Sequence, residues 1–222
     1  MMATETTMVC EGVRRAYHTN GEVVWALWDV DAVAHAGQIT VLAGPSGSGK
    51  STLLRVIAAM DKPDAGRVEV AGKDLTSMSA GARRRFRARH MGYLFQDPAA
   101  NLLSYLTVWE HLVMAGKIRG ATPTRELLAR LEIEELADEH PARLSAGQQQ
   151  RAALAAAMIG DPDVILADEP TAELDTQSAH LAVGALVRLR DLGATLIVTS
   201  HDPEVVAVAD RLIHLEHGTV KE

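Results

Sequence analysis

The chain contains 222 residues, of which 22 are basic and 29 acidic, so that its formal net charge is −7. A hydrophobic fraction of 47% is enough to bury a core, and the length suits one domain, with or without an inserted lobe. The acidic balance argues against nucleic acid as a partner. The single cysteine, Cys10, excludes an intramolecular disulfide, fits a reducing compartment and is expected to pack as a small hydrophobic residue.

The apolar runs of the chain predict neither a secretory signal nor a membrane span. The N-terminal segment Met1–Val9 lacks the basic region and the long apolar run of a signal peptide. Ala152–Ile159 is apolar, but it stops at Gly160 and is too short to cross a bilayer. We therefore expect the chain itself to lie in the cytoplasm.

The N-terminal third predicts a small antiparallel layer. Met8–Tyr17, Val23–Val33 and Arg67–Val70 have strand patterns. Turn residues occur at Thr19-Asn20-Gly21 and at Asp64-Ala65-Gly66, where they would join these strands.

A glycine-rich segment at residues 44–52 predicts a phosphate-binding loop, because it fits G-x-x-x-x-G-K-[ST] between a strand pattern and a helical pattern. Small residues let backbone N–H groups converge on phosphate oxygens, and the helix N-terminus adds partial positive charge. Lys50 is expected to reach the β- and γ-phosphates, and the Ser51 hydroxyl to ligate Mg²⁺. The candidate nucleotide-binding residues of the loop are Gly44, Pro45, Ser46, Gly47, Ser48, Gly49, Lys50, Ser51 and Thr52.

From residue 39 onward, strand patterns alternate with helical patterns, which predicts an α/β domain with a mainly parallel central sheet. The expected strands are Ile39–Leu42, Met91–Phe95, Val164–Ala167, Thr195–Thr199 and Arg211–Leu215. The expected helices begin at Lys50, at Asp175 and after Pro203.

The basic run Arg83–Arg89 has two interpretations, a solvated helix face or a patch for nucleic acid or lipid headgroups. The lack of an aromatic stacking platform around it favours the solvated face.

Residues 105–159 interrupt the alternation and predict a helical subdomain inserted between strands of the core. Thr107 and Glu110 form a capping box, Pro123 suits the first position of a helix capped by Thr122, and Pro141 is expected to end the following segment.

Two adjacent carboxylates, Asp168 and Glu169, follow the apolar strand Val164–Ala167. Because ligands bind at the carboxyl ends of parallel strands, Asp168 is placed to hold the Mg²⁺ shell and Glu169 to orient or deprotonate water. A solvated acidic turn is the alternative, and the preceding phosphate loop favours the catalytic interpretation.

The segment Leu144–Arg151 begins a further helix, for which Ser145 is a good N-cap. A serine hydroxyl and glycine backbone at a helix N-terminus form an anion site. This octapeptide is similar to the Leu-Ser-Gly-Gly-Gln signature of the ATP-binding-cassette (ABC) ATPases, and the chain resembles that family over nearly its whole length.

The resemblance implies an α/β fold, that of a P-loop NTPase of the ABC ATPase type. A mainly parallel RecA-like core would carry an N-terminal antiparallel β layer and an inserted α-helical subdomain. Residues 1–96 and 160–222 would form the nucleotide-binding core, and residues 97–159 the helical subdomain, within one domain spanning 1–222.

The resemblance also implies roles for residues outside the phosphate loop. Tyr17 matches the aromatic residue that stacks on adenine, with a packed strand residue as the alternative. Gln96 matches the glutamine that contacts Mg²⁺ and the attacking water, and His201 the histidine that contacts the γ-phosphate. Ser145, Gly147 and Gln148 would contact nucleotide from the signature, and Glu173-Leu174-Asp175 would lie at the dimer interface. The implied catalytic set is therefore Lys50, Gln96, Glu169 and His201, and the implied metal set is Ser51, Gln96 and Asp168.

Three positions depart from the family pattern. Ala146 replaces the first signature glycine, which is expected to weaken phosphate contact rather than abolish it. Ala156 stands where many members have arginine, and Glu173 where a small or amide residue is common. These last two departures bear on dimer energetics more than on chemistry.

The function implied is that of an ATPase that binds ATP and Mg²⁺, sandwiches ATP in a head-to-tail homodimer and powers a separate integral membrane permease. The chain would then lie on the inner face of the cell membrane, and its end soon after His201 would leave no room for a regulatory domain. The resemblance is greatest to the branch with the MacB and LolD ATPases, which favours export or envelope work. The alternatives are a non-transporting complex that regulates cell-wall hydrolases and a soluble ABC protein acting on nucleic acid or ribosomes.

The permease contact is expected between Gln96 and Gly116, a segment rich in apolar residues. Leu102, Leu103 and Tyr105 are expected to form a groove for a short cytoplasmic helix of the permease. Leu106 and Trp109, at helical spacing, are expected in the subdomain core.

Overall fold

Two β-sheets and seven α-helices are described by the computed structural model, which covers residues 5–19 and 22–221. The strands are β1 (Thr6–Thr19), β2 (Glu22–His35), β3 (Ile39–Ala43), β4 (Ala65–Val70), β5 (Lys73–Asp74), β6 (Met91–Leu94), β7 (Val164–Asp168), β8 (Leu196–Thr199), β9 (Arg211–Glu216) and β10 (Thr219–Lys221). The helices are α1 (Lys50–Ile57), α2 (Ala80–His90), α3 (Val108–Arg119), α4 (Glu126–Arg130), α5 (Ala146–Met158), α6 (Thr176–Asp191) and α7 (Pro203–Ala207).

The larger sheet has six strands in the order β10-β9-β3-β8-β7-β6. Its five strands from β9 to β6 are parallel, and β10 pairs antiparallel at the edge. β3 and β8 are buried at every position, as expected for strands covered on both faces. The predicted parallel core is confirmed, and β10 is an addition to it.

The smaller sheet has four strands in the order β2-β1-β4-β5, paired antiparallel. This confirms the predicted antiparallel layer. β4 begins at Ala65, so the chain has already entered the strand within the predicted turn at residues 64–66. The other predicted turn includes Asn20 and Gly21, which lie outside the described residues.

The insertion differs from its prediction, because residues 105–159 are not helical throughout. Only α3, α4 and α5 are α-helical there, with short 3-10 turns at Glu134–Leu136 and Pro141–Arg143. The residues from Ala121 to Thr124 form a loop and α4 begins only at Glu126, so Pro123 does not begin a helix.

Pro141 begins a 3-10 turn instead of ending a segment, because a missing N–H costs little in a first turn. The caps at Thr107 and Ser145 are confirmed, each as a full capping box.

The apolar core lies on both faces of the larger sheet. On one face, Leu112 of α3, Leu154 of α5 and Leu186 of α6 pack with Val198 of the sheet. On the other face, α1 packs between the two sheets. The insertion thus shares its core with the sheet, and the division at residues 97–159 stays a prediction.

Cys10 is buried, and burial raises the pKa of its thiol to about 12. The thiol is therefore protonated at neutral pH, as expected for a packed hydrophobic residue. In the part of the chain that is described, every helix is too short or too polar to cross a membrane.

Candidate functional site

The phosphate loop joins β3 to α1, and its backbone admits no side chain at two glycines. A Cβ on Gly44 would lie 2.1 Å from the carbonyl oxygen of Leu215, and one on Gly49 would lie 2.5 Å from that of Ala26. Gly49 is the N-cap of α1 in the left-handed conformation, and it makes no side-chain capping bond. The first N–H groups of α1 are therefore available to an anion.

A cavity of about 320 Å³ opens at this loop. It is lined by Ala26, Ser46, Gly47, Gly49, Lys50, Ser51, Thr52, Gln96, Glu169, Ala172 and His201. The structure therefore brings the four sequence-predicted catalytic residues to one cavity with the phosphate loop. Gly44, Pro45 and Ser48 of the loop do not line it.

Lys50 is held at the base of the loop. Its Nζ donates to the carbonyl oxygens of Gly44 at 2.8 Å and Pro45 at 3.1 Å, and it lies 3.4 Å from Oε1 of Glu169. The side chain is only 6% exposed. A buried ammonium group satisfied in this way supplies positive charge without the flexibility of a surface lysine.

Glu169 has a constrained backbone. Its φ is 44°, which a non-glycine residue rarely adopts, and such strain clusters at functional sites. Its N–H donates to the carbonyl oxygen of Thr199 at 3.1 Å and to Thr199 Oγ1 at 2.9 Å. On the other side, Glu169 Oε2 lies 3.0 Å from Nδ1 of His201. The carboxylate thus bridges Lys50 and His201 across the cavity.

Oxygen ligands for a cation meet at the end of β7. Ser51 Oγ donates to Asp168 Oδ1 at 2.8 Å, and Thr199 Oγ1 donates to the same oxygen at 2.6 Å. One carboxylate with a hydroxyl suits Mg²⁺, which keeps waters and substrate phosphates as its other ligands. Among the described residues there is no cluster of three or more His, Cys, Asp or Glu side chains that would bind a metal by themselves.

Thr199 was missed by the sequence reasoning, which used it only as a strand residue. It pairs in register with Asp168 across the parallel strands β7 and β8. The sequence placed Thr199 at the end of a predicted strand, where the ends of parallel strands meet at one edge of the sheet, but the strand order and register that bring it to Asp168 come from the structure.

Gln96 follows β6 and lies at the rim of the cavity. Its Nε2 donates to Oε1 of Glu173 at 3.3 Å. Glu173 lines a neighbouring cleft of about 500 Å³ together with Asp97 and Ala146. Two of the departures from the family pattern, Ala146 and Glu173, therefore lie in the same cleft.

Tyr17 is not brought into the phosphate-loop cavity. Its hydroxyl hydrogen-bonds to Asp61 Oδ2 at 3.1 Å, and the guanidinium of Arg15 lies 5.0 Å from its ring centre. The ring lines an adjacent cleft of about 380 Å³ with Val23 and Trp25. Its role toward adenine stays a prediction.

Ser145, Gly147 and Gln148 also lie outside the phosphate-loop cavity, at the start of α5. The Ser145 hydroxyl accepts from the Gln148 N–H at 3.3 Å, and Gln148 Oε1 accepts from the Ser145 N–H at 2.9 Å. A Cβ on Gly147 would lie 2.7 Å from Cβ of Ser178, so this glycine permits the close approach of α5 to α6.

A small apolar cleft lies between α2, α3 and α5, and its floor includes Ala156. His111 supports the loop beside it: its buried ring donates from Nδ1 to the Thr107 carbonyl at 2.6 Å, and Nε2 accepts from the Leu103 N–H at 2.7 Å. Burial lowers the pKa of His111 and keeps it neutral. The sequence reasoning did not single out this histidine.

The predicted groove residues divide by exposure. Leu103 is 38% and Tyr105 71% exposed, whereas Leu102 is buried in the core, which corrects its expected place on the surface. Trp109 packs against the core as expected.

The sequence matches the family described as ABC transporter over residues 27–172. The chain is 40% identical over 214 residues to "Macrolide export ATP-binding/permease protein MacB" of Salmonella choleraesuis (strain SC-B67). The MacB of Escherichia coli (strain K12) is equally similar, at 40% over 214 residues. In both cases the match covers 94% of this chain and 33% of the relative, so the chain spans about a third of the length of these curated relatives.

Solved structures agree with the sequence match. The fold is similar to "the ATP-binding cassette MJ0796 bound to ADP and Pi", in a dimeric post-hydrolysis state, with a TM-score of 0.84, 34% identity and 97% coverage of both chains. It is also similar to cbiO1 of Clostridium perfringens, described as part of the ABC transporter complex cbiONQ, with a TM-score of 0.85 and 28% identity over 98% of this chain and 88% of that one. The chain therefore belongs to the ABC transporter family, in which it is an ATP-hydrolysing cassette.

Proposed function

We propose that the chain is the ATP-binding and ATP-hydrolysing subunit that powers a separate membrane permease, in a MacB-like export or envelope-acting system. The observation that carries the ATPase part is the single cavity shared by the phosphate loop, Lys50, Gln96, Glu169 and His201. Phosphoryl transfer to water needs mainly positioning and charge stabilisation, and this cavity offers groups for both.

Each residue has a proposed role in hydrolysis. Lys50 and the first N–H groups of α1 bind the phosphates, and His201 contacts the γ-phosphate. Glu169 accepts a proton from the attacking water, and Gln96 helps to orient that water. Glu169 Oε1 also lies 3.4 Å from Lys50 Nζ, so phosphate binding would exchange one anion for another at Nζ.

Mg²⁺ would be held by Ser51 and Asp168, with Gln96 at the rim. When bound, the ion would neutralise charge on the phosphates. Thr199 donates to Asp168 and thereby fixes the carboxylate toward Ser51.

The position of the signature supports a homodimer. Ser145, Gly147 and Gln148 do not line the phosphate-loop cavity of their own chain. A second copy arranged head to tail would bring its α5 to that cavity, and MJ0796 has been solved as a dimer. Tyr17 would stack on adenine from the adjacent cleft.

The permease part rests on the relatives, whose name joins an ATP-binding part to a permease and to macrolide export. The chain would then act at the inner face of the cell membrane. Exposed Leu103 and Tyr105 would receive a cytoplasmic segment of the permease, on a loop that His111 supports.

Complementation in a mixed dimer tests this function. Lys50→Ala impairs the phosphate loop, and Ser145→Ala impairs the signature, so each variant alone should hydrolyse ATP slowly. A 1:1 mixture should regain activity, because one site of each mixed dimer combines an intact loop with an intact signature.

Ser79→Ala is the matched control, since it removes the N-cap of α2 in the same way without touching the signature. It should keep wild-type turnover. If the mixture shows no more activity than the average of its parts, the shared head-to-tail site is wrong.

A further inference from the structure

Helix α2 carries five arginines, Arg83, Arg84, Arg85, Arg87 and Arg89, and no acidic residue. The rest of the chain is acidic, since the whole has a formal net charge of −7. Positive charge is thus concentrated on one short element.

The arginines of α2 differ from most others in lacking carboxylate partners. Elsewhere, nine arginines lie within 4.0 Å of an Asp or Glu oxygen. In the described part of the chain, no arginine of α2 does so. The paired arginines are Arg14, Arg15, Arg55, Arg67, Arg125, Arg130, Arg143, Arg188 and Arg190. The carboxylate contact of α2 is made by His90, whose Nδ1 lies 2.8 Å from Asp163 Oδ2.

This arrangement does not stabilise the isolated chain. Arg83 and Arg87, and Arg85 and Arg89, stand four residues apart on one helix, where like charges repel. Arg87 turns inward to donate to the carbonyl oxygen of Ala59, and burial with the charges of Arg83 and Arg84 lowers its pKa. An external anionic partner would relieve the repulsion among the others.

The position of α2 indicates which partner. Ala88 lines the apolar cleft with Met114 and Ile118 of α3, and Arg84 and Arg85 lie one turn before Ala88 on the same helix face. If a permease segment docks near this cleft, the helix stands on the side of the protein that faces the bilayer. Phe86, the aromatic residue of α2, is buried and offers no platform for stacking bases.

We propose that Arg83, Arg84, Arg85 and Arg89, here called the arginine face, bind the anionic headgroups of the membrane beside the permease. The orientation of α2 toward the bilayer rests on the function proposed above. The concentration of positive charge on α2 is observed without that proposal. Guanidinium groups suit phosphate oxygens because they donate in a planar, paired geometry. Each is expected to raise affinity for an anionic bilayer about fivefold.

Vesicle flotation of the full chain tests the proposal without nucleotide or permease. Unilamellar vesicles of phosphatidylcholine, alone or with roughly one third phosphatidylglycerol, are the probes. The chain should float with the anionic vesicles only, and binding should weaken as salt is raised, since surface charges are screened.

The test variant changes all four arginines of the arginine face to Gln. The control variant changes Arg125, Arg130, Arg143 and Arg188 to Gln, which alters net charge equally on exposed, ion-paired side chains. The test variant should lose affinity by about several hundredfold, at about fivefold for each of the four arginines, and the control should bind like the wild type. Both variants should keep wild-type ATP turnover. A failure of the membrane-binding proposal can therefore be distinguished from a failure of the proposed ATPase site.

Three results would overturn the proposal. The first is equal binding of the wild type to neutral and anionic vesicles, or to neither. The second is an equal loss of vesicle affinity in the control variant, which would indicate that net charge, and not the position of the arginines, determines binding. The third is loss of permease co-purification in detergent by the test variant with vesicle binding unchanged, which would assign the arginine face to a protein partner.

Discussion

The N-termini of α1 and α5 are both proposed to bind phosphate, yet the chain prepares them differently. At α1 the N-cap is a glycine without a capping side chain, and the first N–H groups face an open cavity. At α5 the N-cap is Ser145, whose capping box with Gln148 already occupies the side chains that would meet a phosphate. The first site is complete within one chain, while the second needs a partner and a change in its own hydrogen bonds.

The difference separates two kinds of substitution. Changes at the α1 side should affect nucleotide binding and chemistry in any state of assembly, because the groups involved touch one another in a single chain. Changes at the α5 side should appear only where two copies meet. The predictions below test that division, beginning with the largest effect.

Glu169→Gln should reduce turnover by about 100-fold or more, because the carboxylate that accepts the proton of water is lost while its shape remains. ATP should still bind, so the ATP-bound dimer should accumulate. Phosphate release measures the first effect, and size-exclusion chromatography with ATP the second. Glu139→Gln, on an exposed surface pair, is the control. Near-wild-type turnover in Glu169→Gln would remove this residue from the catalytic role.

Lys50→Ala should weaken ATP binding about 10- to 100-fold, since a hydrogen bond between a charged donor and phosphate is lost. It also leaves Glu169 without its nearby ammonium group. Titration with a fluorescent ATP analogue measures the change, and Lys62→Ala, at an exposed position, is the control. Unchanged affinity would contradict the assignment of the phosphate loop.

Thr199→Val should raise the Mg²⁺ concentration required for half-maximal turnover about tenfold, because residues that orient a metal ligand contribute on that scale. Valine keeps the volume but removes the donor to Asp168. Thr195→Val is a close control, because it removes another buried hydroxyl, just before β8, which accepts from the Gly37 N–H. An equal shift in both variants would indicate a general effect on the sheet.

The sequence predicted the site around the N-terminus of α1 better than the insertion that contains α5. The sequence placed Lys50, Ser51 and Glu169 at one cavity and Asp168 beside Ser51, because a glycine-rich turn after a parallel strand has few conformations and ligands bind at the carboxyl ends of such strands. Thr199 required the register of β8 against β7, which a single sequence does not show. Strand register depends on pairing between segments that are distant in the chain.

The insertion was predicted less well for a related reason. Its caps at Thr107 and Ser145 depend on neighbours within three residues and were found. The placement of Pro123 and of Leu102 depends on packing against other elements, which local patterns do not encode. The contact of Glu173 with Gln96 likewise joins residues far apart in the chain.

Tyr17→Ala should weaken ATP binding several-fold, since aromatic stacking contributes on the order of 1 kcal/mol. Tyr17→Phe separates the ring from the hydroxyl, which binds Asp61. If stacking matters, Phe should bind ATP like the wild type, and both variants should bind inorganic tripolyphosphate normally. If Tyr17→Phe loses as much affinity for ATP as Tyr17→Ala, the hydrogen bond to Asp61 and not the ring supports binding.

Ala146→Gly should have the smallest effect, a rise in turnover of about two- to threefold, equivalent to less than 1 kcal/mol. Ala146 is the first residue of α5, and in the proposed head-to-tail dimer its methyl group would lie where the phosphate of the partner's site approaches. Its removal also frees backbone that must adjust when the capping box opens.

The chain contains a matched control for this substitution. Ser79, Ala80 and Gly81 begin α2 with the same three residue types that begin α5, including a serine N-cap. Ala80→Gly therefore makes the same change in helix propensity and capping, away from the signature. The rise in turnover should occur in Ala146→Gly alone and only at protein concentrations that support the dimer, because the methyl group acts across the interface. An equal rise in Ala80→Gly, or one that persists at high dilution, would show that the two helix N-termini do not differ in the way described here.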